Sequence, residues 1–170
     1  MSVDLAITST AAFLRGLMPW IPVGNVVRGQ TNGTPPPLPP AIVITELLQA
    51  QYTTTRTRMN EAGDQMTYVM PRRLDLQIDC YGVRGSEMAN VACTMLRSIY
   101  APEQFPDGVE PLYCSDPIQA PLITGEKQYE ARWSLTLSLQ YNAPVTVSQE
   151  SFNVVGSTEA IPADITIPVE

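Results

Sequence analysis

The chain has 170 residues, of which 44% are hydrophobic, so it is long and apolar enough to bury one core and lacks the composition of a disordered protein. Its formal net charge of −7 argues against nucleic acid as the main ligand, because phosphate binding requires clustered lysines and arginines. Only 16% of the residues are charged, which is typical of a protein that lies against other proteins, and equally of a β-rich domain with threonine-rich strand faces.

Several classes of function lack support in the sequence. There is no histidine, so the usual general base and the commonest metal ligand are both missing, and no phosphate-loop or nucleophile-elbow motif occurs. Cys80, Cys93 and Cys114 are odd in number and widely spaced, which predicts buried reduced thiols. We therefore expect no enzyme, no cofactor and no metal site. Without an apolar run of about 18 residues or a basic leader, we also expect no membrane contact and folding in a cytoplasm.

An N-terminal helix is predicted from Ser2 to Met18. Ser2 is a suitable N-cap, Asp4 suits the first turn, and Pro19 ends the helix. The face predicted to be buried combines Leu5, Ala6, Ala12, Phe13 and Leu17.

A proline stretch, Thr34–Pro40, follows a turn at Asn32 and Gly33. Its polyproline II character suits either a ligand of an SH3-type domain or a rigid lead-in to the next strand, and we prefer the lead-in. The next run, Ala41–Leu48, is mostly apolar and β-branched. This run predicts a strand that is largely buried on both faces.

A hairpin is predicted from two extended segments, 51–60 and 65–70. The intervening turn contains Gly63, which readily adopts the backbone conformation that turns require. Both arms are rich in threonine and other polar residues. We therefore expect the hairpin to project beyond the core.

Two strands with strict alternation, Leu74–Tyr81 and Tyr129–Tyr141, flank a predicted helix over 86–100. Asp75 and Asp79 share a face of the first strand about 13 Å apart, which is too far for a paired-carboxylate mechanism. They are expected to be solvated or to form an ion pair with Arg132 across the sheet. The apolar face predicted for the helix comprises Met88, Val91, Ala92, Met95, Leu96 and Ile99.

These elements predict an α+β domain over 1–142, with a mixed, mainly antiparallel sheet packed against two helices. After Asn142 the composition changes, since residues 143–170 carry four acids and neither lysine nor arginine. They contain more valine and isoleucine than a disordered tail usually does. We predict an extended acidic arm that adds edge strands to something else, such as a neighbouring subunit.

The order of these segments resembles the tail-terminator (neck-terminator) proteins of long-tailed bacteriophages. The resemblance is carried by the lead-in at 32–40, the strand at 74–82, the helix at 86–100 and the strand at 132–141, and it spans roughly residues 1–142. It implies a small α+β protein that forms a hexameric ring in the tail–neck region of the virion. Such a ring caps the tail tube, stops its polymerisation and joins the tail to the head connector; in contractile tails it can also contact the sheath. Under this resemblance, DNA passes through the lumen without specific binding.

If the resemblance holds, function depends on matching surfaces and the hairpin becomes a candidate interface, although an ordinary exposed hairpin would have the same sequence. Two alternatives remain: another tail-completion, tube or connector component, or a monomeric ligand-binding domain with a deep apolar pocket. The residues expected to contact subunits or partners are Tyr52, Arg56, Arg58 and Tyr68 in the hairpin and Phe152, Val154, Ile165 and Ile167 in the arm.

Overall fold

A computed structural model describes residues 3–31, 37–120, 122–123 and 129–148. The predicted turn at Asn32 and Gly33, the first prolines after it, and the arm beyond Ser148 lie outside the described residues. Pro40 directly precedes a strand, as expected of a lead-in. The side-chain amide of Asn25 donates to the carbonyls of Leu38 and Pro40, both at 2.9 Å, and so attaches the lead-in to the body.

Within this described part, a seven-stranded mixed sheet is packed against helices, which confirms the predicted α+β class. Among the described strands, only the β1–β2 pair is parallel, and β7 and β8 form a separate small sheet. The helices are α1 (Val3–Leu17), α2 (Gly85–Leu96) and the short α3 (Tyr100–Gln104). The strands are β1 (Val26–Arg28), β2 (Ala41–Gln51), β3 (Arg56–Met59), β4 (Gln65–Tyr81), β5 (Val109–Cys114), β6 (Ile118–Gln119), β7 (Leu122–Ile123), β8 (Tyr129–Glu130) and β9 (Arg132–Ser148).

The centre of the sheet is the antiparallel pair β4–β9, whose 17 residue pairs run without a register shift from Gln65–Ser148 to Tyr81–Arg132. Because alternate residues of a strand face opposite sides, even positions of β4 and odd positions of β9 share one face. That face carries the core, as the sequence alternation predicted. Its fully buried members include Leu74, Leu76, Ile78, Cys80, Leu135, Leu137 and Leu139.

β4 passes without interruption through Pro71, where the sequence suggested two separate strands. On one side of β4, β2 ends opposite Arg72 and β3 begins opposite Val69. Pro71 lies opposite this gap, and its carbonyl accepts the Tyr52 N–H at 3.0 Å. A proline is tolerated here because its missing N–H faces no ladder partner.

The two predicted helices are present, but their buried faces differ from the predictions. In α1, Ala12 is exposed, while Ile7, Thr10 and Leu14 are buried. Thr10 is tolerated in the core because its hydroxyl donates to the Ala6 carbonyl at 2.8 Å, so the buried hydroxyl has a hydrogen-bond partner.

The second helix, α2, ends at Leu96 instead of Tyr100, so Ile99 leaves the predicted face and is 87% exposed. The Arg97 side chain turns to donate to the Cys114 carbonyl, at 2.9 and 2.7 Å from its Nε and Nη2 atoms. The helix therefore ends at a tertiary contact that periodicity alone does not reveal. β2 was also predicted to be buried on both faces, but only its first residues are buried. Leu47, which has no partner in β4 at a register shift, and Leu48 are both about half exposed.

Candidate subunit and partner interface

Three strands continue together past the part of the sheet that the helices cover. They are β3 (Arg56–Met59), the first residues of β4 (Gln65–Met70) and the last residues of β9 (Ala143–Ser148), with β4 in the middle. We call this three-stranded unit the extension. The predicted hairpin is confirmed as its β3–β4 half, and the third strand was not predicted, because the sequence suggested that the last strand ends at Tyr141.

The extension has one apolar and one polar face. Direct partners in neighbouring strands share a face, so Tyr68, Val145 and Thr57 lie on the same side, whereas Thr67, Thr146 and Arg58 lie on the other. The apolar face continues the core face of β4 and β9, but the described residues leave it open to solvent. Its main members are Met59 (45% exposed), Met66, Tyr68 (40%), Met70, Val145 (59%) and Val147 (50%).

The tip of the extension is a tightly bonded turn. Asn60 accepts the backbone N–H groups of Asp64 and Gln65 through its side-chain oxygen, both at 3.1 Å, and donates to the Asp64 carboxylate at 2.6 Å. Gly63 has φ +73°, which favours glycine. A turn with these contacts holds the register of β3 against β4, so it fixes the relative positions of the exposed side chains on the two strands.

An apolar groove lies where the extension meets the body and has a volume of about 340 Å³. It is lined by Val3 from the first turn of α1, by Tyr68 and Val145 of the apolar face, and by Arg72. Arg72 is exposed and forms no ion pair with the described side chains. The groove therefore combines an apolar floor with a cationic wall.

A second apolar surface lies at the edge of the sheet, between the α2–α3 connection and β5. An open groove of about 600 Å³ is lined there by Ile99, Leu112 and Tyr113, all exposed. Its wall includes Arg97, which is held by the Asp116 carboxylate at 2.8 Å and by the β5 backbone. This surface is apolar and outward-facing.

The opposite face of the sheet carries two buried carboxylates that are both paired. Asp79 accepts from Arg132 at 3.0 Å, which confirms the predicted ion pair, and from Gln77. Asp75 accepts a two-fold contact from Arg73, and the hydrogen bond to Asp75 raises the pKa of that guanidinium. Each carboxylate already has hydrogen-bond partners within the sheet, so we assign Asp75 and Asp79 a structural role in β4.

The three cysteines are free and buried, as predicted. Desolvation by burial raises the pKa of the Cys80 and Cys114 thiols to about 12, so both are protonated and unreactive near neutral pH. Among the described residues, no group of three or more potential metal-ligating side chains comes together. None of their helices is long and apolar enough to cross a membrane.

The predicted interface residues fall into three places. Tyr68 lies on the apolar face and Arg56 and Arg58 on the polar face, so the sheet separates them. Tyr52 lies exposed in the link between β2 and β3. The four residues predicted in the arm, from Phe152 to Ile167, lie outside the described residues.

On the apolar face, the residues that sequence reasoning missed are Met59, Met66, Met70, Val145 and Val147. A signal for the last two was present, because the alternation Tyr141, Ala143, Val145, Val147 continues the core parity of β9.

The family model for the phage neck terminator protein matches residues 7–164 of the chain. The chain belongs to this family. Its members are structural proteins of bacteriophages, which places the chain in the tail–neck region of the virion among other tail and neck proteins. The match extends past Asn142, where the resemblance in the sequence was expected to end. No curated protein shows significant similarity to the chain.

Proposed function

We propose that this neck terminator forms a closed ring, a hexamer, that caps the end of the tail tube, stops its polymerisation and joins the tail to the head connector. The observation that carries the proposal is the extension, a preorganised three-stranded projection whose apolar face the described residues do not cover. Exposed apolar surface of this kind marks a protein–protein contact. The function therefore depends on complementary surfaces, without a chemical step.

A closed ring of identical subunits requires two different complementary surfaces on each subunit. The extension supplies one of them through Tyr68, Val145 and Val147. The edge groove at Ile99, Leu112 and Tyr113 is the second apolar surface on which a neighbour can pack. Residues Phe152, Val154, Ile165 and Ile167 add a contact to an adjacent subunit or to another tail protein.

Capping requires two ring surfaces with different properties, one that matches the tube and one that does not accept a further tube subunit. The two faces of the extension differ in polarity, since Arg56, Arg58 and Thr146 lie on one face and apolar side chains lie on the other. They can therefore supply surfaces with different binding properties. In a contractile tail the outer surface of the ring also meets the sheath. A net charge of −7 is compatible with a lumen through which DNA passes without binding.

The proposal is tested by measuring the mass of the purified protein in solution and imaging it by negative stain with and without tail tubes. We expect six-membered rings that bind tube ends and prevent further lengthening when tube subunits are added. Rings that fail to block lengthening would indicate another neck or connector component. A chain that stays monomeric in both conditions would contradict the ring.

A further inference from the structure

The chain continues from the tip of the extension. β9 ends at Ser148, and residues 149–170 follow it. The groove lined by Val3 and Arg72 is also lined by Tyr141 of β9. Tyr141 lies seven residues before Ser148, or roughly 23 Å along the strand. A segment of 22 residues spans up to about 70 Å when extended, so it is long enough to return to its own groove and also to reach a groove on an adjacent copy that lies within that distance.

The segment and the extension are chemically complementary. The segment carries all its charge as four acids, with no lysine or arginine. On the apolar side, the extension presents Arg72, which is exposed on the wall of the groove. Both surfaces also carry apolar side chains, which in the segment are Phe152, Val154, Val155, Ile161, Ile165, Ile167 and Val169.

The open edge of β9 is a poorer docking place than the apolar face. Asn142 donates its N–H outward to the Gly108 carbonyl, at 2.9 Å, so the backbone of every second residue after it also points away from β4. The next residue with this orientation is Pro144, which has no N–H to donate. A strand added at this edge would lose a ladder bond, and prolines at such positions discourage pairing.

We propose that residues 149–170 of one copy dock in the groove and across the apolar face of the extension of the adjacent copy. This inference rests on the proposed function, because it requires a neighbouring copy in a ring. Each subunit then donates one segment and receives one, which makes every contact of the ring equivalent. The acids of the donated segment lie near Arg72, and its apolar side chains cover Tyr68, Val145 and Val147.

Cysteine cross-linking tests the proposal in the full-length chain, because the three native cysteines are buried. One preparation carries Val145→Cys, and a second, enlarged by a tag, carries Ile165→Cys or Phe152→Cys. The two are mixed, allowed to assemble and treated with a bifunctional thiol reagent. The matched control is Thr146→Cys, one residue away on the opposite face.

We expect cross-links between the two differently sized chains, with a several-fold higher yield for Val145→Cys than for Thr146→Cys. The pair Tyr68→Cys and Thr67→Cys repeats the comparison on β4, in case one variant fails to fold. Equal yields on the two faces would overturn the inference. A double variant, Val145→Cys/Ile165→Cys, provides a second test at high dilution. If its cross-links form only within single chains, the inference is also overturned.

The outcomes separate this inference from the proposed function. A ring that assembles without excess cross-linking at Val145 overturns the inference and leaves the ring intact. A chain that stays monomeric, alone and with tail tubes, overturns both.

Discussion

Tyr68 and Val145 are direct cross-strand partners on the apolar face of the extension, and both remain exposed, at 40% and 59%. The same register that buries Leu74 against Leu139 in the core thus brings these two apolar side chains together beyond it. Their strands differ in origin, since one belongs to the predicted hairpin and the other to the end of the chain's last described strand. The candidate interface therefore combines residues far apart in sequence.

Two double variants, each with a pair of glutamates on one face of the extension, distinguish the roles of the two faces. We expect Tyr68→Glu/Val145→Glu to abolish ring formation and tube capping, because an unpaired charge cannot be buried in an apolar contact without a large cost. The control, Thr67→Glu/Thr146→Glu, adds the same charges to direct partners on the polar face. Sedimentation and negative-stain imaging measure the assembly.

Each double variant places two glutamates directly opposite each other, so both should lose a similar, modest free energy of unfolding, on the order of 1 kcal/mol, through like-charge repulsion. The difference in ring formation between the two variants therefore reports the faces and not the stability of the subunit. Equal loss of rings in the two double variants would contradict a special role for the apolar face. Loss of the monomer fold in the first variant alone would indicate that the face is buried within one chain.

The buried ion pair between Asp79 and Arg132 should matter more for stability than an exposed one. Arg132→Met leaves the Asp79 carboxylate, 5% exposed, without its cationic partner, and we expect a loss of about 2 kcal/mol in the free energy of unfolding. The matched control is Arg28→Met, which breaks the exposed pairs with Asp4 and Glu46. That change should cost less than about 1 kcal/mol, since solvent screens the interaction.

Urea unfolding followed by circular dichroism measures both differences. If the two variants lose similar stability, the Asp79–Arg132 pair is no more important than a surface contact.

Because two thiols are buried, we expect the free energy of unfolding to fall at alkaline pH. The folded-state pKa values of Cys80 and Cys114 are raised from 9.0 to about 12 by desolvation, so the unfolded chain loses these protons first. Their contribution to stability is fully present below pH about 9 and is lost progressively as the pH rises towards about 12. Unfolding at several pH values between 8 and about 11 should therefore show a steeper decline for the native chain than for Cys80→Ala/Cys114→Ala.

The comparison with the double variant isolates the thiols from the tyrosines and the single lysine, which titrate in the same range. An identical pH dependence in the two proteins would contradict the assignment. A thiol reagent at pH 8 gives an independent check, because it should modify Cys80 only as fast as the protein unfolds.

The sequence predicts the central features of this fold because alternation in β4 and β9 directly reports which side chains face the core. It predicts less where tertiary contacts decide. The end of α2 depends on Arg97 reaching the Cys114 carbonyl, a residue 17 positions away. The burial of Thr10 depends on a local hydrogen bond that polarity scales ignore.

The candidate site was predicted only in part for a related reason. The polar hairpin was recognised, but its two faces become distinct only once β3, β4 and β9 are in register. Asn142 and Pro144 resemble strand breakers, which obscured the continued alternation at Val145 and Val147. Pro144 is tolerated because its backbone faces the open edge of the extension.

Two truncations distinguish the third strand of the extension from the segment that follows it. Ending the chain after Ser148 removes residues 149–170 and should leave the backbone of the extension unchanged. Ending it after Asn142 also removes the strand that pairs with Gln65–Met70, and should expose those residues of β4. Hydrogen exchange of individual amides measures the difference.

The expected pattern alternates along β4. The carbonyls of Gln65 and Pro71 accept N–H groups from Asn60 and Tyr52, so odd positions face β3 and even positions face β9. After truncation at Asn142, the amides of Tyr68 and Met70 should exchange much faster, whereas that of Val69 should keep more of its protection. Uniform fast exchange over 65–70 would mean that β3 alone cannot hold β4 in the extension, because two-stranded hairpins are only marginally stable in water.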